Sequence, residues 1–346
     1  MLDCLKNKAV TVAMSGGVDS STTAALLLES GARVRGIYMA LAQPDLEHQI
    51  RRVQGVAAAL NIPLEVVDLQ APFAQQVLGY FKTSYAGGRT PNPCVICNRR
   101  IKFGLLLDRV LETCEYMATG HYARLAKAPD GRVRLLTGLD PKKDQSYFLN
   151  QLTQAQLARL CFPLGGQSKT QTREQAAAKG LTGLHGAESQ DVCFLKDQSV
   201  AQFLDDLGIK PGPIVTSAGR EIGRHQGIHH YTVGQRRGLG IPDATPYYVV
   251  RLEADQNTVV VGKEDELWQK TLRVTGVNWS SGTAPLLPRE LLVKIRYRHA
   301  ATPALVSADP AGGCQVVFGE PQRAVTPGQF AVFYQDDELL GGGEIL

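Results

Sequence analysis

No run of 18 or more apolar residues occurs anywhere in the 346-residue chain, so no membrane-spanning helix is expected. No basic stretch followed by a long apolar segment opens the chain, so no signal peptide is read. A strong excess of one charge is missing too. The 37 lysines and arginines against 33 acidic residues leave a net +4, so overall charge does not argue for nucleic acid, and the local distribution must. The seven cysteines, at 4, 94, 97, 114, 161, 193 and 314, are odd in number in a long chain. That disfavours a secreted disulfide scaffold and favours the reducing cytoplasm, where clustered thiols mean chemistry or metal. Cys94-Val95-Ile96-Cys97 has no second Cys-x-x-Cys to complete a zinc site. No internal repeat or low-complexity tract is present, apart from short alanine triplets.

What is present is one glycine turn in an informative place. Ser15-Gly16-Gly17-Val18-Asp19-Ser20 follows an apolar run, Ala9 to Met14, and leads into a helix-like segment. Strand, glycine turn and helix N-terminus form an anion cradle: backbone N–H groups point at the ligand and the helix dipole favours its charge. Ser15, Ser20 and Ser21 add hydroxyl donors. Asp19 would repel phosphate unless a cation lay between them, which suggests Mg²⁺ on a nucleotide polyphosphate. No Gly-Lys-Ser/Thr follows, so this is not the phosphate loop of kinases and GTPases. It resembles the PP-loop of ATP pyrophosphatases.

The first part of the chain alternates strand and helix. Val10–Met14, Val34–Met39, Leu64–Asp68 and Tyr116–Gly120 read as strands, and Ser20–Ser30, Leu46–Leu60 and Arg99–Thr113 as helices. The expectation is an α/β fold, a parallel sheet with helices on both faces and ligands at the carboxyl ends of the strands. After about residue 200, glycines and prolines punctuate short β-type runs. From Leu267 onward, alternating segments at Leu272–Val277, Leu291–Tyr297, Gln315–Phe318 and Phe330–Tyr334 read as a small antiparallel barrel. The expected domains are 1–197, 198–266 and 267–346.

Cys94 and Cys97 follow Pro91 and Pro93 and sit just before a helix expected to start at Asn98 or Arg99, with Arg89, Arg99, Arg100 and Lys102 nearby. Such a setting is expected to favour thiolate. A third cysteine lies in Ser189-Gln190-Asp191-Val192-Cys193-Phe194. Cys4, Cys114, Cys161 and Cys314 read as small buried apolar residues, and His185, His225, His229 and His230 as satisfied polar or surface residues. If Lys294–His299 is a strand, Lys294, Arg296 and Arg298 share one face, a stripe suited to phosphate.

Seven segments in order make a specific resemblance: Ser15–Ser20; Gly88-Arg89-Thr90-Pro91-Asn92-Pro93 with Cys97-Asn98; Ala118–Arg124; Lys143–Leu149; Ser189–Phe194; Tyr231–Gly240; and Val325-Thr326-Pro327-Gly328-Gln329. Together they resemble the bacterial tRNA-specific 2-thiouridylases nearly end to end. The resemblance implies ATP-dependent 2-thiolation of the wobble uridine in the tRNAs for lysine, glutamate and glutamine. It implies that Ala13, Met14, Ser15, Gly16, Gly17, Val18, Asp19 and Ser20 cradle ATP, with Met39 and Gly120 completing the pocket and Mg²⁺ at Asp19. Cys193 would carry a persulfide supplied by a relay from a cysteine desulfurase. Cys97 would free that sulfur, or resolve it and leave a Cys97–Cys193 disulfide. Asn92, Pro93 and Cys94 would meet the target base in the anticodon stem-loop. His121, Lys143, Asp144, Gln145, Arg296, Tyr297 and Gln329 would contact the tRNA. One position departs from the two-cysteine pattern: Cys94 stands where those members usually carry Asp. Cys94, Cys97 and Cys193 could therefore hold three irons of a [4Fe–4S] cluster with the fourth open to sulfide. A small-molecule ligase sharing the glycine loop is the competing class; it would need neither Cys97, Cys193 nor the basic stripe.

Overall fold

A computed structural model describes residues 5–43, 45–181, 192–195, 198–208 and 210–346. Cys4, His185, the Ser189-Gln190-Asp191 part of the third cysteine motif and the expected boundary at 197 fall outside these residues.

Strands β1 (Ala9–Ala13), β2 (Arg33–Ala40), β3 (Leu64–Asp68), β4 (Tyr116–Ala118) and β7 (Leu160–Cys161) form one parallel sheet, in the order β3-β2-β1-β4-β7. Val10, Val12 and Met117 are fully buried in it, as central parallel strands require when both faces are covered. Helix α1 (Val18–Glu29) follows β1, and α2 (Leu46–Ala59) follows β2. The loops after β1, β2 and β4 meet at the carboxyl edge of the sheet, where α/β ligands bind.

The helix expected to begin at Arg99 begins at Pro93 instead. Asn92 caps it, its Oδ1 accepting from the Val95 amide at 3.4 Å, with proline at the first helical position. A wide π-type stretch, Cys97–Leu105, then leads into Leu106–Leu111. The wide turn carries Cys97, and such bulges often accompany functional sites.

A second sheet, in the order β10-β11-β8-β9, joins Tyr248–Glu253 (β10), Thr258–Gly262 (β11), Gly212–Thr216 (β8) and Glu221–His225 (β9). The third is the antiparallel barrel β12 (Trp268–Trp279), β15 (Cys314–Arg323), β14 (Thr302–Ala308), β13 (Arg289–Lys294), β16 (Phe330–Gln335) and β17 (Glu338–Ile345), closed by pairing β17 with β12. The hairpin β5 (Ala123–Lys127) and β6 (Val133–Thr137) adds to this sheet through β17, with Leu135 opposite Leu339. Chain from the first part thus stitches the barrel to the parallel sheet.

The basic stripe does not form as expected. Strand β13 ends at Lys294, and Arg296 and Arg298 lie in the following turn. Arg296 turns inward: its Nη2 donates to the Val233 carbonyl at 3.1 Å, the Ala324 carbonyl at 3.2 Å and the Thr326 hydroxyl. Arg298 stays exposed. Arg296→Ala should therefore lower stability by about 2 kcal/mol through lost charge-assisted bonds to buried acceptors, read as a lower urea midpoint. Arg298→Ala should instead leave that midpoint where it is. An unmoved midpoint in Arg296→Ala would reverse this assignment.

Candidate active site: a glycine loop beside a thiol cavity

The Ser15–Ser20 loop is held open by its own hydroxyls. Ser20 Oγ accepts from the Ser15 amide at 3.1 Å and donates to the Gly17 carbonyl at 3.1 Å, while Ser21 Oγ donates to the same carbonyl at 2.9 Å. Gly16 has φ +69°, and a Cβ there would lie 2.9 Å from Arg52 Nε and 3.0 Å from Val53, so the loop needs glycine on both conformational and steric grounds. Gly17 is the N-cap of α1. Gly120 lets the chain after β4 approach the helix start; a Cβ there would meet the Asp19 backbone at 2.9 Å and Ser20 N at 3.0 Å.

Two groups at this loop carry no signal in the sequence. Arg52, from α2, donates Nη2 to the Ser15 carbonyl at 3.2 Å, and its Nε is buried without a hydrogen-bond partner. Lys169, on the helix Lys169–Ala178, places its ammonium 2.7 and 2.8 Å from the two Asp19 carboxylate oxygens. The Tyr122 hydroxyl donates to Asp19 at 2.8 Å and meets Thr172 at 2.9 Å. Asp19 is thus ion-paired inside the protein as well as facing the loop. Lys169 comes from 150 residues away, and only the fold brings it here.

Beside the loop lies a cavity of about 300 Å³. Cys94, Cys97 and Cys193 all line it, with Met39, Lys102 and His121. The three cysteines are free thiols, Cys193 being the exposed one. The expected drop in thiol pKa does not occur. Burial pushes Cys94 up to about 11 and Cys97 up to about 12, and raises Cys193 as well. Lys102 is the cation that opposes burial at all three thiols, whereas Arg99 is engaged by Gln151 at 2.9 Å. Desolvation outweighs one nearby charge. His121 accompanies the thiols as a neutral ring: burial, then Lys102, holds it well below the ordinary imidazole value. Its Nδ1 lies 2.6 Å from the Thr119 hydroxyl, and the ring sits between Phe103 and Phe162. Gly120, pressed against the Asp19–Ser20 backbone, directly precedes His121 on the cavity wall, which puts the glycine loop and the thiol cavity next to each other.

A larger groove of about 1100 Å³ adjoins them, running from Asp19 and Tyr122 to the barrel. Lys142, Lys143, Lys294 and Arg298 supply its positive charge, and Gln145 and Phe148 line both cavities. Tyr297 packs on Phe148 with ring centroids 4.5 Å apart. Three expected contact residues are committed to structure. Asp144 is buried, accepting from the Gly138 amide at 2.9 Å and from the Ser146 amide and hydroxyl at 3.1 and 2.9 Å. Gln145 Oε1 accepts from the Tyr122 amide at 3.0 Å. Gln329 donates to the Thr90 and Pro91 carbonyls at 2.9 and 3.3 Å, so the barrel holds the segment that delivers Asn92, Pro93 and Cys94.

Residues 8–197 match a family model described as the tRNA methyl transferase HUP domain. Residues 201–263 match its PRC-barrel domain, and residues 269–345 an aminomethyltransferase beta-barrel domain. The tRNA-specific 2-thiouridylase MnmA of Desulfotalea psychrophila is 46% identical over 97% of this chain and 98% of its own length. That of Geobacter metallireducens is 46% identical over 98% and 96%, and that of Carboxydothermus hydrogenoformans 44% over 99% of both. At such identity over the whole length, with the glycine loop and the paired cysteines in place, the chain belongs to the tRNA-specific 2-thiouridylase family.

Proposed function

We propose that this chain is a tRNA-uridine 2-sulfurtransferase that works on the wobble uridine in two steps. The uracil C2 oxygen attacks the α-phosphorus of ATP and expels pyrophosphate, leaving the oxygen bonded to AMP. Sulfur then attacks C2, the C–O bond breaks and AMP leaves. The observation that carries this reading is the convergence of Cys97 and Cys193, 96 positions apart in the chain, on one cavity beside the glycine loop.

The loop amides, Ser15, Ser20 and Arg52 would hold the phosphates. The hydroxyl-and-carboxylate donor set at Asp19 suits Mg²⁺, which when bound screens the polyphosphate. For its carboxylate to face a metal, Asp19 must share its charge with Lys169. The lysine-lined groove fits the anticodon stem-loop backbone, with Arg298 and Lys294 against phosphate and Phe148 and Tyr297 as stacking surfaces. A base in a loop costs little to turn out of its stack. ATP, tRNA and a desulfurase-derived sulfur donor are the reactants; among the described residues no helix is long and apolar enough to cross a membrane.

In the first form of the sulfur step, Cys193 carries the outer persulfide sulfur. That sulfur bonds to C2, and the Cys97 thiolate attacks the inner sulfur, leaving a Cys97–Cys193 disulfide that a cellular thiol reduces. With Cys97 raised to about 12 by burial, little thiolate exists at neutral pH, and Lys102 is the group that favours it. Lys102→Ala should slow alkylation of Cys97 at pH 8 and 2-thiouridine formation by about threefold to tenfold, with first-turnover pyrophosphate release unchanged. Equal slowing of pyrophosphate release would place Lys102 at the nucleotide instead.

Cys94 in the same cavity favours a second form. Three thiols from two segments are a chemically suitable donor set for a [4Fe–4S] cluster, which when bound would keep one iron open to sulfide. Iron and acid-labile sulfide in protein purified without oxygen, lost in Cys94→Ala, would select this form. Iron-free protein that still thiolates with a desulfurase would select the persulfide.

The proposal as a whole is tested by AMP release from ATP with and without tRNA. AMP that appears only with tRNA bearing a wobble uridine supports it. AMP at the same rate without RNA would point to a small-molecule ligase.

A further inference from the structure

A second cluster of potential ligands lies away from the sulfur chemistry, where the chain passes from the parallel-sheet region into the second sheet. The helix Val200–Leu204 packs against the short 3₁₀ turn Ile228–His230 and ends in a turn at Asp205–Leu207. There Asp205 Oδ1 is 3.9 Å from His229 Nε2 and 3.7 Å from His230 Nε2. One ligand atom from each of the three lies within 4.8 Å of the other two, the only such group among the described residues.

These separations are too long for hydrogen bonds and slightly wider than the ~3.3 Å between ligand atoms of a tetrahedral zinc ion, given Zn–N and Zn–O near 2.0–2.1 Å. Small movements of the exposed Asp205 and of the His230 ring close the difference.

His229 supplies the independent observation. It is 5% exposed, and both of its ring nitrogens are buried without a hydrogen-bond partner. Sequence reading places it among satisfied histidines, and the structure overturns that. An imidazole whose two nitrogens are both unsatisfied loses its water bonds with no return, unless something absent from the protein binds one of them. The ring also has a built seat. A Cβ at Gly227 would fall 2.5 Å from its Cε1 and 2.8 Å from its Nδ1, so Gly227 is what lets it lie there. The neighbouring acid Asp206 is taken by Lys82, and His225 is bonded through Nε2 to the Asn257 carbonyl at 2.9 Å; neither joins the cluster.

We propose that Asp205, His229 and His230 form a binding site for a divalent transition metal of the zinc class, with a fourth position open to water. Two imidazoles and a carboxylate suit Zn²⁺ or Co²⁺ over Mg²⁺ or Ca²⁺. The site ties the Val200–Leu207 segment to the second sheet. It is a structural clip, separate from the thiol cavity.

Because Cys94, Cys97 and Cys193 would also bind such metals, the test uses the full-length chain carrying Cys94→Ser, Cys97→Ser and Cys193→Ser, with its fold checked by circular dichroism. Cobalt titration should show one ion per chain, with visible d–d bands and no sulfur charge-transfer band. Affinity should fall at least tenfold in His230→Ala and in Asp205→Asn, both at accessible positions that a fold tolerates. Zinc should raise the unfolding temperature of the parent chain and leave that of Asp205→Asn unmoved. No uptake by the parent chain, or uptake indifferent to both substitutions, would overturn the site.

Discussion

Asp19→Asn should reduce tRNA-dependent AMP formation by about 10³-fold, the scale lost when a charge-stabilising group is removed from a transition state, while tRNA affinity stays near that of the parent. Asp19 is placed for two tasks. It opens α1 inside the glycine loop, where a carboxylate can share Mg²⁺ with the nucleotide, and it neutralises Lys169, whose side chain is only 9% exposed. The substitution therefore has a second consequence: a largely buried ammonium loses the Asp19 carboxylate, and stability should fall by about 1–3 kcal/mol. Lys169→Met added to Asp19→Asn removes that ammonium. The double variant should recover the parent's unfolding midpoint without recovering AMP formation. That pattern separates the catalytic effect from the structural one. Asp19→Asn that still makes AMP at a rate near the parent's would remove the carboxylate from nucleotide chemistry.

Local physics made some of this legible in the sequence. Ser15–Ser20 is readable because a buried strand, two glycines and a helix start are neighbours in the chain, and the structure puts β1 and α1 on either side of it. The barrel was visible in part. Phe330–Tyr334 alternates and β16 covers it, but β17 escaped notice because Gly341, Gly342 and Gly343 interrupt its pattern. Those glycines serve close approach: a Cβ at Gly341 would meet the Asn278 carbonyl at 2.2 Å, and one at Gly343 the Thr275 carbonyl at 2.5 Å, so barrel closure demands residues of low strand propensity. The helix expected at Arg99 starts at Pro93 instead, where Asn92 caps a first turn that opens on proline.

What the sequence could not show depends on contacts between distant segments. Counting arginines near Cys97 pointed to a lowered thiol pKa, whereas the packing that excludes water from the cavity raises it. Arg296 looked like a member of an exposed stripe until the chain turned after Lys294 and buried its guanidinium against Val233, Ala324 and Thr326. Lys169 and Arg52 reach the glycine loop from remote helices, and nothing around them in the chain marks them. The convergence of Cys97 with Cys193 was inferable only through resemblance; in the structure it follows from the π-type stretch that carries Cys97 and the Val192–Leu195 segment, whose Phe194 packs on Phe73 and Phe81.

Cys193→Ser should leave first-turnover pyrophosphate release within about threefold of the parent and abolish 2-thiouridine. Adenylation needs the loop, Asp19 and a positioned base, and Cys193 contacts none of the loop's hydrogen-bonding groups. Sulfur transfer needs a sulfur on this side chain, or a thiolate ligand, and a hydroxyl supplies neither: it forms no persulfide and is a poor ligand for iron. The accumulating product should be adenylated tRNA that water slowly returns to uridine and AMP, so AMP would be released with no thiolation to match. Cys94→Ala divides the two forms of the sulfur step at the same readout. With a persulfide on Cys193, Cys94→Ala keeps most thiolation, because Cys97 still resolves the Cys193 sulfur. With a cluster, Cys94→Ala should fall to the level of Cys193→Ser, because losing one of three ligands releases the iron. Cys193→Ser that thiolates at the parent's rate would mean that sulfur reaches C2 without passing through this residue, and the cavity's role would then be confined to holding the base.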